Sequence, residues 1–333
     1  MTINDVAAKA GVSKRTVTRV LSGSTQVAPA TRKRVLDVMK ELNYVPNPLA
    51  QRLAKGRTNV VAVFCYDTSR LFERQTFFEP IIHGIGEALG QYGYHVLLLT
   101  GGQGEKQRYL YSEGVNTAQL ADGVIVLAER TEETDLLRLL DEEFPFVVVG
   151  GGEVSGREFP RVSLDYVRGT EQLVRHLWEC GHRYIGLWCA DLERGWNKER
   201  CEGYCRAMGA LHAVTDSYVC ATMEVSRALD HFLTLERPPT AIIAGDDLMA
   251  MSLIREARQR GIEVPRELSV CGMGDWLPSA QFDPPLTTCD FRLEELGREA
   301  AILLVERLQR EKADPKRVVL PCRLVIRDSV ATK

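Results

Sequence analysis

Three basic side chains could read DNA: Lys14, Arg15 and Arg19 all lie in the stretch KRTVTRVL at residues 14–21. The apolar residues of this stretch are spaced i, i+3 and i+4, which predicts a helix that turns its basic residues away from a core. Guanidinium and ammonium groups pair well with the O6 and N7 acceptors of guanine in the major groove. The stretch therefore predicts a helix whose N-terminal residues contact base edges.

Two flanking helices would position this one. Thr2 and Asp5 have the spacing of a capping box at the start of a first helix, and Gly11 can end that helix in a tight turn. Ser13 can cap the basic helix, and a third helix is expected from Pro29, a residue suited to a first helical turn. Helix, glycine-containing turn and polar-faced helix together predict a helix-turn-helix.

The charge distribution fits this interpretation. The whole chain of 333 residues has a net charge of −3, yet residues 1–58 carry eleven Lys and Arg against three Asp and Glu. A small basic segment on a large acidic body indicates that the segment meets a polyanion. No apolar run long enough to cross a membrane and no secretion leader is found. The nine scattered cysteines predict reduced thiols in a cytoplasmic protein, without a metal site or cofactor.

A short amphipathic segment follows the basic helices. Asn47 and Pro48 are a good cap and first residue, and Gly56 ends the apolar spacing that includes Leu53. About two helical turns are marginal in isolation, so the segment needs a partner. Small neighbours around Leu53 favour a pair of such helices in a minor groove, with Leu53 inserted between base steps.

The remainder of the chain alternates apolar strand-like runs with amphipathic helical stretches. Such alternation predicts parallel sheets covered by helices on both faces. Two halves, near residues 60–160 and 162–289, would form a hinged pair whose cleft lies at the carboxyl ends of the strands. The strand-like runs are 60–66, 94–100, 122–128, 144–150, 183–189, 240–246 and 267–273.

Aromatic and charged residues follow several of these strands, where ligands bind in open α/β sheets. An aromatic face with a charged group that donates two hydrogen bonds can hold sugar hydroxyls or a heterocycle. Asp247 is expected to cap a helix that begins at residue 248. The candidate ligand contacts are Phe77, Phe78, Arg194, Trp196, Arg200, Asp246, Asp275 and Trp276.

The chain resembles the LacI/GalR family of bacterial regulators. The motifs that carry the resemblance are TINDVA, AGVS, TVTRVL, TRKRV, LNYVPN and LAKGRT. The resemblance implies a helical DNA-binding head (1–46), a hinge helix and linker (47–58), and a periplasmic-binding-protein-like α/β core (59–333). The core would contain two Rossmann-like subdomains, with chain crossovers near 161, 290 and 321. Their expected bounds are 59–160 with 291–320, and 162–289 with 322–330.

The resemblance also implies site roles and partners. Lys14, Arg15 and Arg19 would read bases, and Leu53 would enter the minor groove beside Lys55. Phosphate contacts would come from Thr2, Ser13, Thr16 and Thr18. A homodimer would bind a near-palindromic operator in double-stranded DNA.

Effector contacts are implied at Phe77, Phe78, Arg194, Arg200 and Asp246, and RCEGY makes Arg200 the strongest of them. Gly150 and Gly274 stand where many members have a ligand-binding Asp, which favours a larger ligand or a different pose. Further motifs (FFEPIIHGI, EEFPFVVVG, AGDDLMA, PPLTT) are similar to the maltose-regulator branch, so a malto-oligosaccharide is the first expected effector. A monosaccharide, sugar phosphate, purine or phosphocarrier protein remains an alternative.

Three function classes fit parts of the sequence. A ligand-controlled DNA-binding regulator, here expected to be a repressor, accounts for the head, the hinge, the charge distribution and the cleft. A solute-binding protein would share the core but needs a secretion leader and no head. An enzyme on this scaffold would need a nucleophile and base, a metal cluster or a dinucleotide fingerprint, and the sequence offers none of these. The sequence therefore favours the regulator.

Overall fold

The computed structural model consists of two compact units, Met1–Asn59 and Val60–Lys333. Within the part of the chain that it describes, no helix is long and apolar enough to cross a membrane. The described residues are 1–21, 24–44, 57–65, 75–100, 110, 120–128, 133–151, 156–192, 195–213, 216–309 and 316–333.

The first unit contains three helices, as the sequence predicts: α1 (Ile3–Ala10), α2 (Lys14–Leu21) and α3 (Pro29–Glu41). The Thr2 hydroxyl accepts from the Asp5 amide, and the Asp5 carboxylate accepts from the Thr2 amide at 2.7 Å, which completes the capping box. Gly11 ends α1 in the left-handed conformation with a φ of 64°. The Thr16 amide donates to the Ser13 hydroxyl at 3.1 Å, so Ser13 caps α2.

A small apolar core holds these helices together. Its buried members come from all three helices and from Val27 in the connection before α3. Arg32 of α3 donates to the carbonyls of Val20 and Ser24, which ties α3 to the end of α2. Ala28 precedes α3 and provides no side-chain cap, so this helix relies on Pro29 and on packing. The core residues are Val6, Ala7, Ala10, Val17, Val20, Val27, Val35, Val38 and Met39.

The second unit begins with alternating strands and helices: β1 (Val60–Cys65), α4 (Gln75–Gln91), β2 (His95–Thr100), β3 (Gly123–Ala128), α5 (Glu133–Asp141), β4 (Phe146–Gly150) and β5 (Arg161–Asp165). It continues through α6 (Tyr166–Glu179), β6 (Ile185–Cys189), α7 (Gly195–Ala210), β7 (Val219–Ala221), α8 (Val225–Leu233), β8 (Ala241–Ala244), α9 (Asp247–Gln259), β9 (Ser269–Cys271) and α10 (Leu277–Gln281). The chain then forms β10 (Thr288–Asp290), α11 (Leu293–Gln309), β11 (Arg317–Pro321) and β12 (Arg323–Val325).

These strands form two parallel sheets and one ribbon. The larger sheet has the order β11-β5-β4-β3-β1-β2, and the smaller has the order β7-β6-β8-β9. Neighbouring strands are parallel in both sheets, as the sequence predicts. β10 and β12 pair antiparallel in a two-stranded ribbon, where Cys289 lies opposite Leu324.

The sheets define two halves that the chain crosses between. The sequence places the start of the second half at residue 162. β5 pairs with β4 and β11 in the larger sheet, so the chain remains in the first half to the end of this strand. The chain leaves the larger sheet after β5 and again between β11 and β12. Single bridges between Cys271 and Thr287, and between Gly274 and Asp290, place the start of β10 beside the end of β9.

Helices α4 and α11 approach each other closely on the first half. A Cβ atom on Gly84 would lie 2.0 Å from the backbone oxygen of Glu294. A Cβ atom on Gly297 would lie 2.1 Å from the backbone oxygen of Ile81. Gly86 is on the same helix as Gly84, yet a Cβ there would meet no heavy atom within 4 Å.

We therefore expect opposite effects from two alanine substitutions in α4. Gly84→Ala should destabilise the protein by about 1–3 kcal/mol because the helices must separate. Gly86→Ala should stabilise it by up to about 1 kcal/mol, since alanine has the higher helix propensity. Urea unfolding of the full chain measures both, and equal effects of the two variants would contradict this packing.

Candidate functional site

The predicted base-reading residues lie on α2 in the first unit. Lys14 and Arg15 are exposed in its first turn, and Arg19 is partly exposed one turn later. Val17 and Val20 are buried in the core of this unit, so the basic side chains and the apolar side chains occupy different faces. This arrangement can place two cations at the N-terminal end of a helix in the major groove.

The four hydroxyl side chains predicted to contact phosphates already make local hydrogen bonds. Thr2 caps α1. The Ser13 and Thr16 hydroxyls lie 2.9 Å apart, and the Thr18 hydroxyl donates to the Lys14 carbonyl at 3.1 Å. A hydroxyl has one donor and two acceptor positions, so these bonds leave capacity for a phosphate. The phosphate contacts stay a prediction.

Three predicted site residues lie outside the described residues. These are Leu53 and Lys55, for the minor groove, and Arg194, for the effector. Their roles stay predictions from the sequence.

The second unit encloses a cavity at the carboxyl ends of β3, β4 and β5. Its volume is about 30 Å³, which is room for one or two water molecules. A ligand as large as a sugar therefore requires the walls to move apart. The lining residues are Phe77, Phe78, Ile81, Leu127, Val149, Gly150, Ser163, Leu164, Tyr166, Trp196 and Leu296.

Three predicted aromatic residues meet in this cavity. Phe77 on α4 and Trp196 on α7 have ring centroids 6.4 Å apart, so an aromatic contact joins the two halves. Phe78 is buried and packs edge-on against Phe77, with centroids 5.2 Å apart. The structure thus brings together three residues that the sequence proposes separately, and their contact with a ligand stays a prediction.

Arg200 on α7 is a buried cation. Its side chain is 7 % exposed, and its Nη1 donates to the Asn197 side-chain oxygen at 2.8 Å. Asn197 in turn donates to the Asp191 carbonyl, which fixes the amide. The buried Nε of Arg200 has no hydrogen-bond partner among the described residues, and no described carboxylate forms an ion pair with the guanidinium.

Two aromatic rings stack on this guanidinium. The Arg200 Cζ lies 4.8 Å from the ring centroid of Tyr166 and 5.5 Å from that of Phe291. Tyr166 also lines the cavity, and burial raises the pKa of its hydroxyl well above the ordinary range. Neither aromatic residue is among the ligand contacts that the sequence predicts. The only signal for Tyr166 was its position directly after the alternating run RVSLD, which forms β5.

The helix cap after β8 is Asp246, not Asp247 as the sequence suggests. Asp246, predicted to bind the effector, is the N-cap of α9 and accepts from the Met249 amide at 2.8 Å. Asp247 is therefore not the cap, because α9 begins one residue earlier than expected. The effector role of Asp246 stays a prediction, and one of its oxygens already serves the helix.

Asp247 instead forms a buried hydrogen-bond centre in the second half. Its carboxylate accepts from the Trp276 amide at 2.8 Å and from the hydroxyls of Ser279 and Thr288 at 2.6 and 2.5 Å. Burial raises the pKa of Asp247 to about 6, although the three hydrogen bonds oppose that increase. This carboxylate joins α9, α10 and β10.

Trp276 is buried, and its Nε1 has no partner among the described residues. It lies beside Gly274, where a Cβ atom would come within 2.5 Å of the indole nitrogen. Gly274 also has a φ of 134°, a conformation that residues with side chains rarely adopt. The indole thus occupies the space that an aspartate at position 274 would need. The effector role of Trp276 stays a prediction.

Asp275, also a candidate from the sequence, forms an ion pair with Arg327 across 2.6 Å. This pair joins the segment after β9 to the segment after β12.

Family models and individual relatives match the chain. Residues 2–47 match the model "Bacterial regulatory proteins, lacI family", and residues 174–330 match a periplasmic binding protein-like domain. The transcriptional regulator CelR of Thermobifida fusca is 35% identical over 336 residues, covering 98% of each chain.

Solved structures match over nearly the whole length. A transcriptional regulator CelR–cellobiose complex has 32% identity and a TM-score of 0.73, covering 99% of each chain. The Lac repressor dimer bound to operator and the anti-inducer ONPF has a TM-score of 0.83 over 99% of each chain. Its identity of 24% supports the fold alone.

The buried carboxylate of Asp247 leads to a pH prediction. Because its folded pKa lies near 6 and above the unfolded value of 3.8, the folded protein holds an extra proton between these values. The protonated group then favours folding, so the stability of the wild type relative to Asp247→Asn should increase as the pH falls from about 7 to 4. Urea unfolding at several pH values measures the difference.

The exposed carboxylate of Asp283 provides the control. Asp283→Asn should give a stability difference from the wild type that does not increase as the pH falls. If the free energy of unfolding of the wild type, relative to that of Asp247→Asn, falls towards pH 4, the folded pKa is not raised.

Proposed function

Because the chain belongs to the lacI family of bacterial regulatory proteins, we propose that it is a sequence-specific transcriptional repressor controlled by a small carbohydrate. The observation that carries the DNA-binding part is the exposed pair Lys14 and Arg15 on the first turn of α2, opposite a buried apolar face. We assign DNA binding to residues 1–46, the hinge and linker to 47–58, and effector binding and dimerisation to 59–333.

A carbohydrate suits the chemistry of the cavity. Phe77 and Trp196 provide apolar ring faces, which can pack on the C–H face of a sugar. Arg200 and Trp276 each keep a buried N–H without a partner among the described residues. Buried donors without partners are costly, and neither residue lines the cavity, so the hydroxyl oxygens of a sugar could accept from them only after the walls move apart.

The glucose disaccharides are the first candidates. The maltose-branch motifs favour an α-linked sugar, whereas the relative CelR has been solved with the β-linked disaccharide cellobiose. Both ligands consist of two glucose rings, and the configuration of the linkage gives the rings a different orientation relative to each other. A thermal-shift panel with cellobiose, maltose, maltotriose and ribose distinguishes them, because a ligand at 100 times its Kd stabilises the protein by roughly 2.7 kcal/mol.

Regulation would follow from a change in the arrangement of the two halves of the second unit. The closed cavity must open to admit a sugar and close around it, which changes how the halves are arranged. An effector shifts such an equilibrium only through its different affinities for the two states. The paired hinge segments of a dimer would then change their spacing, and with it the affinity for a near-palindromic operator. Leu53 and Lys55 are proposed for the minor-groove contact.

The surface of the second unit supports a dimer. β2 is the last strand of the larger sheet, and it exposes Val96 and Leu98 by 38% and 45%. An apolar edge strand needs a cover to avoid uncontrolled pairing. Leu277 on α10 is 81% exposed in the second half. We propose that a second copy of the chain covers these residues.

Two alanine substitutions should separate the two binding activities. Arg200→Ala removes charge-assisted hydrogen bonds of about 1.5–3 kcal/mol each, so sugar affinity should fall tenfold or more. Operator affinity without sugar should stay within about threefold of wild type. Arg15→Ala should do the reverse and reduce the preference for operator by roughly 1–3 kcal/mol. Calorimetry with sugar and fluorescence anisotropy with DNA measure these affinities.

Lys40→Ala is the control for charge alone. Lys40 is exposed in α3, and its removal should change binding to operator and random DNA by the same factor. A loss of operator preference in Lys40→Ala equal to that in Arg15→Ala would contradict base reading by Arg15. Unchanged sugar binding in Arg200→Ala would move the effector site away from this arginine.

A substitution on β2 tests the dimer. Leu98→Arg should produce monomers at micromolar concentration, because a charge would be buried in the apolar contact. Leu233→Arg is the matched control, since Leu233 is exposed to a similar extent, 42%, on α8. Light scattering should find a dimer for wild type and Leu233→Arg. A stable wild-type monomer would contradict the dimer.

A further inference from the structure

We propose that Tyr166 and Phe291 are positioning residues that hold the Arg200 guanidinium in place for the effector and link it to the chain crossovers. This inference rests on the proposed effector function of Arg200. It concerns an arrangement of three side chains, here called the arginine clamp: Arg200, Tyr166 and Phe291.

The clamp surrounds the cation with ring faces. The guanidinium carbon lies 4.8 Å from the centroid of Tyr166 and 5.5 Å from that of Phe291. The two rings meet edge to face with centroids 5.2 Å apart, so they form one rigid corner. Tyr166 and Phe291 are 8% and 1% exposed, so the cation–π contacts are removed from water, where such contacts are strongest.

A buried cation needs this support. Among the described residues, Arg200 has a hydrogen bond to Asn197 and no ion pair with a carboxylate. Ring faces stabilise a cation without occupying its N–H groups, whereas a carboxylate would use two of them. The clamp therefore holds the guanidinium in place while its Nε keeps no hydrogen-bond partner among the described residues.

The two rings come from two of the three places where the chain crosses between the halves. Tyr166 is the first residue of α6 and directly follows β5 of the larger sheet. Phe291 directly follows β10, which pairs with β12 in the ribbon. Arg200 belongs to α7, which packs on α6 in the second half. One side chain of the effector site is thus held by both crossovers.

Close packing fixes the rings relative to each other. A Cβ atom on Gly169 of α6 would lie 3.1 Å from the Cys289 sulfur and 3.3 Å from the Cys322 sulfur. Helix α6 therefore lies directly on β10 and on the residue before β12. Because this contact leaves no space, a rotation of the halves that shifts β10 also shifts α6, and the clamp moves with them.

The clamp gives the effector a route to the crossovers. A ligand that binds the held guanidinium favours the arrangement of β5 and β10 in which both rings contact Arg200. By linkage, the same contacts raise effector affinity in that arrangement. Loss of a ring should therefore weaken effector binding even though the ring at position 291 does not line the cavity.

A double-mutant cycle tests the clamp. Phe291→Leu should lower the affinity for the disaccharide that binds wild type, cellobiose or maltose, by about threefold to thirtyfold, within the range of a desolvated cation–π contact. In an Arg200→Met background, the same change should lower the affinity less than twofold, because no cation remains to be positioned. Phe291→Tyr keeps a ring face and should retain near wild-type affinity.

Phe232→Leu is the matched control. Phe232 is fully buried in the separate core cluster around β8 and α9, so it tests the cost of losing a buried ring alone. It should destabilise the protein without changing disaccharide affinity more than twofold. Equal losses of affinity in Phe232→Leu and Phe291→Leu, or equal effects of Phe291→Leu with and without Arg200, would overturn the clamp.

A second double-mutant cycle, measured by the midpoints of urea unfolding, tests the clamp without an effector. Phe291→Leu should lower the urea midpoint of wild type more than that of Arg200→Met, since only the former loses a cation–π contact. If Arg200→Met does not fold, we compare Tyr166→Phe with Tyr166→Leu instead. Only the leucine variant should lower the urea midpoint markedly. The clamp would be overturned if the changes in midpoint caused by Phe291→Leu and Arg200→Met were additive, or if the two Tyr166 variants changed the midpoint equally.

The affinity measurements and the unfolding midpoints together distinguish a failure of the clamp from a failure of the proposed function. If no sugar binds wild type while the midpoints show coupling, the carbohydrate assignment fails and the clamp is supported. If a sugar binds but Phe291→Leu affects neither affinity nor midpoint coupling, the clamp fails and the carbohydrate assignment stands.

Discussion

The buried charge of Arg200 is the constraint on which the proposed effector site depends. A guanidinium removed from water is costly unless its surroundings compensate for the lost hydration. Here the compensation comes mainly from an amide oxygen and two ring faces, and the Glu199 carboxylate attracts the guanidinium without a direct ion pair. The buried Nε has no partner among the described residues, and Tyr166, which stacks on the guanidinium, also lines the cavity.

The fold supplies the elements that make this possible. Parallel sheets bring the ends of β3, β4 and β5 to one edge, where the cavity forms. The crossovers after β5 and β10 carry Tyr166 and Phe291, so the joints between the halves also belong to the surroundings of Arg200. Asp247 serves the neighbouring region in a similar way, because one buried carboxylate joins α9, α10 and β10.

The sequence predicts those features that local chemistry determines. The capping box at Thr2, the turn at Gly11 and the apolar spacing of α2 act within a few residues, and the structure has all three. The sequence also predicts strands that consist of long apolar runs, such as β1 and β4. Short strands at edges and crossovers, such as β7 and β10, lack such runs and were missed. The clamp could not be predicted, because Tyr166 and Phe291 meet Arg200 only through tertiary contacts.

The central claim is that carbohydrate binding in the second unit controls DNA binding by the first. The most direct measurement is the affinity of the wild-type protein for a near-palindromic site selected from random DNA, with and without a saturating disaccharide, by fluorescence anisotropy at one salt concentration. The account predicts a change of about fivefold or more, the lower end of common allosteric couplings. An affinity that does not change, although calorimetry shows the sugar bound, would contradict it.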